Sequence, residues 1–280
     1  MKVLRKIAAV RRIVRVVSGP VVLVPTMGAL HDGHAALIDR ARQVAGKRGL
    51  VVVSIFVNPT QFGPQEGFSK YPRTLRDDRK VCELHGADLV FCPTHSEMYP
   101  ADFSTWVNEE AVSAPLCGVS RPGHFRGVCT VVLKLFTIVQ PSAAVFGLKD
   151  FQQYMVIRRM VRDLNLPVRV LPMPTVRETD GLALSSRNRF LTPKERAQAP
   201  VLRGALLEAR AAFRRGETRA AALRAILLEV LSTAPLARLD YVEIRDADTL
   251  AEVATVRRNC LMALAVFFGR TRLIDNLWLR

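Results

Sequence analysis

No apolar run in this sequence approaches the ~18–20 residues that a membrane span takes. The longest candidate, 128–139, is interrupted by Lys134, so the chain is expected not to cross a membrane. Metal-binding cysteine spacing is also missing. The five cysteines (Cys82, Cys92, Cys117, Cys129, Cys260) are odd in number, scattered and free of any C-x-x-C pair, which speaks against structural zinc and for reduced thiols in a cytoplasm. Aromatic residues are few, at 7%, and the Arg and Lys residues are not interleaved with stacking rings. The formal charge of +16 attracts polyanions, but without that interleaving we read it as a field suited to an anionic substrate and as drift of composition toward Arg and Ala. Acids are absent from the first turns, where Lys2, Arg5, Lys6, Arg11, Arg12 and Arg15 stand, as in a transit peptide. Val3, Ile7, Val10, Val14 and Val17 nevertheless recur at helical spacing, and Ser18-Gly19-Pro20 closes a helix leading straight into a strand. The segment is therefore read as part of the fold.

What is present describes a globular chain. Its 280 residues, 49% hydrophobic and 24% charged, suit one large domain and a smaller one. The short β-branched run at 21–24 reads as a strand buried on both faces, 50–56 as a second buried strand, and 88–92, 143–146 and 168–173 as three further strands. Helical patterns at 34–44, 76–85, 128–139 and 151–164 separate them, and this alternation predicts a parallel α/β sheet. Ligands of such sheets bind beyond the carboxyl ends of the strands, which directs attention to 25–34, 57–63, 147–153 and 175–188. After Thr192-Pro193 the texture changes to helices at about 194–215 and 218–232, then strands at 240–245, 261–268 and 271–277 with a Gly269-Arg270 hairpin turn. The expected fold class is α/β: a Rossmann-like parallel-sheet domain over 1–185 and a smaller α+β domain over 186–280, with the boundary near 180–190.

Four segments carry chemistry. Pro25-Thr26-Met27-Gly28-Ala29-Leu30-His31-Asp32-Gly33-His34 lies between a buried strand and an amphipathic helix. Its glycines let backbone approach phosphate, the helix start offers N–H donors, and His31 and His34 are spaced to face one anion. This would grip a triphosphate without a Walker A lysine, and no G-x-x-x-x-G-K-[ST] occurs. Two histidines at a helix start serve equally as caps. In the second segment Pro59 stops a strand and leaves the amides of Asn58 and Gln61 to project, or to form an ordinary turn. In the third, Lys149 follows Gly147 and Leu148 as a fixed positive charge, Asp150 suits a helix N-cap, and Gln153 lies one turn on. In the fourth, Ser185, Ser186 and Arg187 suit a leaving diphosphate, although such a triplet is often a solvated loop.

Together these segments resemble the pantoate–β-alanine ligase (pantothenate synthetase) family, and more widely the nucleotidylyl transferases and class I aminoacyl-tRNA synthetases that share His-x-Gly-His. The narrower family is indicated by P-T-M-G-A-L-H-D-G-H, N-P-T-Q-F-G-P (58–64), Tyr71-Pro72-Arg73-Thr74, Gly123-His124-Phe125-Arg126-Gly127-Val128, Leu184-Ser185-Ser186-Arg187-Asn188 and Asp240-Tyr241-Val242-Glu243. The resemblance runs from about residue 20 to the C-terminus. It implies ATP-dependent joining of pantoate to β-alanine through a pantoyl-adenylate. Met27, Gly28, Ala29, Leu30, His31, Asp32, Gly33 and His34 would line the ATP site, with His34 the proton donor or charge stabiliser. Gly147, Leu148, Lys149, Asp150, Val176, Leu184, Ser185, Ser186 and Arg187 would complete it. His34, His31, Lys149 and Arg187 would carry catalysis; Gln61 and Gln153 would hold pantoate, Gln61 also lying against β-alanine. Asp77 and Asp78 fall where the family places acids near magnesium or diphosphate. Leu148 departs from the glutamate usual before the lysine. Magnesium is expected to come with the triphosphate, with no protein-bound metal site, and the resemblance implies a cytoplasmic homodimer that binds neither membrane nor nucleic acid. The alternatives are a related transferase adenylylating another small acid, or a nucleic-acid-binding protein on this fold.

Overall fold

The computed structural model describes residues 1–63 and 68–280. Pro64, which closes the N-P-T-Q-F-G-P string, lies outside the described residues. The chain divides into two compact units, one of Met1–Leu148 with Gln152–Pro174, the other of Lys149–Phe151 with Thr175–Arg280.

In the first unit the expected strands become β2 (Val21–Thr26), β3 (Leu50–Ile55), β4 (Leu89–Phe91), β5 (Ala143–Gly147) and β6 (Arg169–Met173). A further strand, β1 (Lys2–Leu4), pairs with β4, so Val3 belongs to a sheet edge and not to the first helix; α1 covers only Ile7–Val14. The 3–4 spacing is ambiguous at that residue because a three-residue strand has too few positions to show its own period. The remaining helices are α2 (Asp32–Ala45), α3 (Leu75–Leu84), the single turns α4 (His95–Met98) and α5 (Cys117–Ser120), α6 (His124–Val139) and α7 (Phe151–Asp163). All strand pairs are parallel, in the order β1-β4-β3-β2-β5-β6. Continuous apolar strands are what a sheet covered on both faces requires. Val22, Val24, Val51, Val53, Val90, Ala143 and Val145 are fully buried, packed with Leu37, Ile38 and Ala41 of α2. From β2 the chain moves outward through β3 to β4, then returns to the other side of β2 as β5 and β6. The β2/β5 boundary is therefore the switch point of the sheet, and α2 begins beside it.

The second unit packs α8 (Pro193–Gln198), α9 (Val201–Arg214) and α10 (Ala220–Ser232) with the antiparallel sheet β7 (Ala237–Asp246), β8 (Cys260–Phe268) and β9 (Thr271–Trp278). Leu202, Leu206, Leu223 and Leu227 share its core with Met262, Leu264 and Phe268. The single helix expected over 194–215 is two, because Pro200 has no N–H to continue the ladder and a new helix starts from it. Gly269, at φ 55°, supplies the turn between β8 and β9.

Apart from Lys149–Phe151, the second unit begins at Thr175. Residues 176–184 form a small hairpin in which Leu184 N–H donates to Val176 O (3.0 Å) and Arg177 pairs with Ala183. Arg177 binds Asp275 of β9, while Glu178 and Asp180 bind Arg196 of α8, so ion pairs tie the hairpin to the second unit.

Candidate active site

The nucleotide turn grows from the end of β2. Thr26 Oγ1 donates to Ser54 O (2.7 Å) and accepts from Gly28 N–H (3.2 Å). Gly28 is at φ 84°, and a Cβ there would meet Asp78 Oδ2 at 3.0 Å and Ile55 at 3.1 Å, so the position takes only glycine. Ala29 follows at φ 53°, a conformation costing roughly 1–2 kcal/mol for a residue with a Cβ. Asp78 holds it: its carboxylate accepts from Ala29 N–H (3.2 Å), Leu30 N–H (2.8 Å) and Thr74 Oγ1 (3.1 Å), and the residue is 2% exposed. Both oxygens of Asp78 thus serve to hold the turn. Asp77 is exposed and paired with Lys80 (2.9 Å), whose hydrogen bond and charge lower its carboxyl pKa.

His31 and His34 do both things the sequence allowed. His31 is the N-cap of α2: its Nδ1 accepts from Gly33 N–H (3.1 Å), while His34 Nδ1 accepts from His31 N–H (3.4 Å). This is a capping box with imidazoles in both places. Because each Nδ1 accepts, the proton of each neutral ring is assigned to Nε2. The ring centroids are 4.2 Å apart. The box occupies the N–H groups of His31 and Gly33, so what the helix entrance adds to the two imidazole Nε2–H groups is its positive dipole end. Asp32, exposed in the same turn, adds the acid that suits a helix start.

Beyond β3 the short turn Pro59–Gln61 places two amides. Asn58 is 2% exposed and saturated: its Nδ2 donates to Gln61 Oε1 (3.2 Å) and Gly127 O (3.1 Å), and its Oδ1 accepts from Thr60 Oγ1 (3.0 Å) and Tyr99 Oη (2.9 Å). Burial pushes the Tyr99 phenol pKa up and keeps it a donor. Asn58 is therefore an organiser and not the projecting group that turn chemistry suggested. Gln61, 8% exposed, has its Oε1 fixed by Asn58 and its Nε2 donating to Met27 Sδ at 2.9 Å. A thioether is a weak acceptor, readily replaced by a substrate oxygen. Gln61 O accepts from His124 Nδ1 (2.8 Å), and His124 Nε2 faces Arg121 Nη1 (3.0 Å), which fixes that ring in the opposite tautomer. Gly127 allows the close packing of α6, since a Cβ there would lie 2.4 Å from Thr60 O. At the end of β5, Gly147 leads to the buried Leu148, so the side chain that replaces the expected glutamate is a core group. Gln153 is half-buried in the first turn of α7. Its neighbour Gln152, unremarked in the sequence, accepts from Cys117 N–H (3.0 Å) and donates to Val112 O (3.0 Å) and Pro115 O (2.6 Å).

The second unit presents its own polar set. A small pocket is lined by Lys149, Ser185, Arg187, Asn188, Arg272 and Asp275, among others. Lys149 Nζ lies 3.7 Å from Asp150, and Asn276 Nδ2 donates to Lys149 O (2.9 Å). Ser185 caps the 3-10 turn Ser186–Phe190 by accepting from Arg187 N–H (3.2 Å), which leaves its own O–H able to donate. Asn188 Nδ2 donates to Glu178 and Ala183 O, while its buried Oδ1 has no partner, an acceptor that a bound donor would satisfy. Neither Asn188, Arg272 nor Asp275 was singled out from sequence as a site residue; only their convergence in space marks them. Among the described residues no three His, Cys, Asp or Glu side chains gather as a metal site.

The family model for pantoate–β-alanine ligase matches residues 2–278. Pantothenate synthetase of Geobacter sulfurreducens is 55% identical over 256 residues, covering 91% of this chain and 89% of that protein. The crystal structure of pantothenate synthetase from Thermus thermophilus superposes with a TM-score of 0.94 at 46% identity, over 100% of this chain and 99% of the other. The ligase of Francisella tularensis, solved as a complex with β,γ-ATP and β-alanine, gives a TM-score of 0.79 at 31% identity, over 99% and 97%. With a match of that extent and the histidine box at the switch point of its sheet, the chain belongs to the pantoate–β-alanine ligase family.

Proposed function

We infer that this chain condenses pantoate with β-alanine at the expense of ATP, through an enzyme-bound pantoyl-adenylate, and that the residues described above carry the reaction. A carboxylate oxygen of pantoate attacks the α-phosphorus of ATP, and the bond to the leaving diphosphate breaks. The amine of β-alanine then attacks the acyl carbon, AMP leaves, and the nitrogen loses its proton as the amide forms. Such steps ask a protein for positioning and charge stabilisation and for little covalent chemistry. His31 and His34 supply Nε2–H donors for phosphate oxygens as their charge grows, reinforced by the dipole of α2. Met27 to Leu30 let the backbone approach the nucleotide. Lys149, Ser185, Ser186 and Arg187 stabilise the leaving diphosphate, with Gly147, Leu148, Asp150, Val176 and Leu184 framing the nucleotide. Gln61 and Gln153 hold pantoate, Gln61 by exchanging its weak contact with Met27 sulfur for a substrate oxygen. Magnesium comes with the triphosphate as part of the substrate.

The observation that carries this reading is the reciprocal histidine capping box at the entrance of α2. With pantoate alone the enzyme releases one diphosphate per bound adenylate, and pantothenate and AMP follow when β-alanine is added. His34→Ala lowers kcat by about 10²–10³-fold, as loss of a preorganised donor does, whereas Gln61→Ala raises the KM for pantoate. Diphosphate release that ignores pantoate, or a His34→Ala enzyme within about threefold of wild type, is incompatible with it. The family match favours this ligase over another adenylylating transferase or a nucleic-acid binder. The homodimer and the cytoplasmic location belong to the same proposal; a solution mass of one chain, 31.2 kDa, would remove the first.

A further inference from the structure

The pocket of the second unit has an electrostatic problem. Its lining brings together the cations Lys149, Arg187 and Arg272, which suits phosphate even though Arg272 is held by Asp240 (2.7 Å) and Lys149 lies near Asp150; Asp275 lines it too and is the one carboxylate among the described residues that do so. An ionised acid beside a polyphosphate repels it. Asp275 is 3% exposed, so solvent does little to screen it.

Arg177 answers that charge from outside the lining. Its Nη1 donates to Asp275 Oδ2 at 2.7 Å and its Nη2 to Oδ1 at 2.8 Å, a bidentate fork, and Nη1 also donates to Gly181 O at 2.9 Å. Asp275 Oδ1 takes a further hydrogen from Asn276 N–H (2.8 Å). Both carboxylate oxygens are thus engaged by donors that are absent from the pocket lining. The fork is planar and permanently charged, which a lysine would not reproduce.

We propose that Arg177 is a charge-shielding residue of the diphosphate subsite: by engaging both oxygens of Asp275 it offsets the one carboxylate of the lining and keeps the pocket selective for a polyanion. This rests on the reading of that pocket as the place where the leaving diphosphate is stabilised. Arg177 touches no substrate in this scheme; it acts through Asp275. The rival explanation is a mechanical clamp, in which the same pair merely fastens the 176–184 hairpin to β9, and the two differ in what happens when the negative charge is removed.

Steady-state KM values for ATP and pantoate, with inhibition by inorganic diphosphate, are measured for Arg177→Met, Asp275→Asn and the double variant, with thermal melting to check folding. Shielding predicts that Arg177→Met raises the ATP KM and the diphosphate Ki by about tenfold or more, with the pantoate KM within about threefold of wild type. Asp275→Asn keeps the shape of the side chain and removes its charge, so it leaves both constants within about threefold, and the double variant recovers most of what Arg177→Met lost. A clamp predicts instead that Asp275→Asn is as damaging as Arg177→Met and that the double variant recovers nothing; that result overturns the proposal. If Arg177→Met does not fold, Asp275→Asn alone decides by the same criterion. A wild-type enzyme that releases no diphosphate from ATP with pantoate would sink the functional reading, whereas an active wild type with an unmoved Arg177→Met sinks only the shield.

Discussion

A single carboxylate shapes the nucleotide turn. Ala29 sits in a left-handed conformation because Asp78 binds its N–H and that of Leu30 from inside the fold. Asp78→Ala leaves those two N–H groups without their partner, a loss of about 2–4 kcal/mol in urea unfolding. Asp77→Ala, one residue earlier and exposed, leaves the urea midpoint close to that of the wild type, because its partner is a solvated lysine. Equal stabilities for the two variants would show that the turn holds its own shape. The histidines were legible in the sequence because strand and helix signals flank them and because an i, i+3 pair at a helix start has only one face to occupy. The role of Asp78 was not, since it bonds across 48 residues and a carboxylate near a phosphate motif reads as a metal ligand as readily as a turn anchor. Asn58 misled for the same reason: its partners Tyr99 and Gly127 lie far along the chain. Polar side chains show their type in sequence and their partners only in space.

Elements follow a different rule. Long periodic segments were readable because apolar spacing reports the face an element buries, as in α2 and α6 or in the valine runs of β2 and β3. The failures are short or local: three-residue β1, which borrows the spacing of α1, and the break before α9, where Pro200 interrupts a continuous pattern. How tightly elements approach is hidden too, and glycine is where it shows. Gly127 lets α6 lie against the Pro59–Gln61 turn; a Cβ would stand 2.4 Å from Thr60 O and 2.8 Å from Gln61 N, both backbone atoms. Gly127→Ala therefore lowers stability by about 1–3 kcal/mol and, by moving Gln61, raises the KM for pantoate. Gly204, inside α9, is the contrast: nothing lies within 4 Å of its would-be Cβ. Gly204→Ala stabilises the protein by about 0.5–1 kcal/mol through helix propensity, with kinetics unchanged. Paired thermal melts check both, and a Gly127→Ala enzyme as stable as Gly204→Ala would deny the close packing.

At the scale of the whole molecule the conspicuous quantity is the charge of +16. A surplus of one sign does not specify a fold; its effect is on what approaches the molecule. The three substrates differ in the sign and size of charge they carry. ATP is a polyanion, pantoate a monoanion, and β-alanine a zwitterion with no net charge near neutral pH. A long-range field discriminates among them in that order, and salt removes the field once the Debye length falls well below the ~10 Å it has near 0.1 M. Raising sodium chloride from about 50 to about 500 mM should therefore lower kcat/KM for ATP severalfold, lower that for pantoate less, and leave that for β-alanine and kcat itself nearly unchanged. Short contacts such as the Arg177 fork to Asp275 are buried and screened far less, so they do not reproduce this ordering. An equal fall for all three substrates would mean that salt perturbs the protein itself, and the surplus charge would then have no role in gathering substrate.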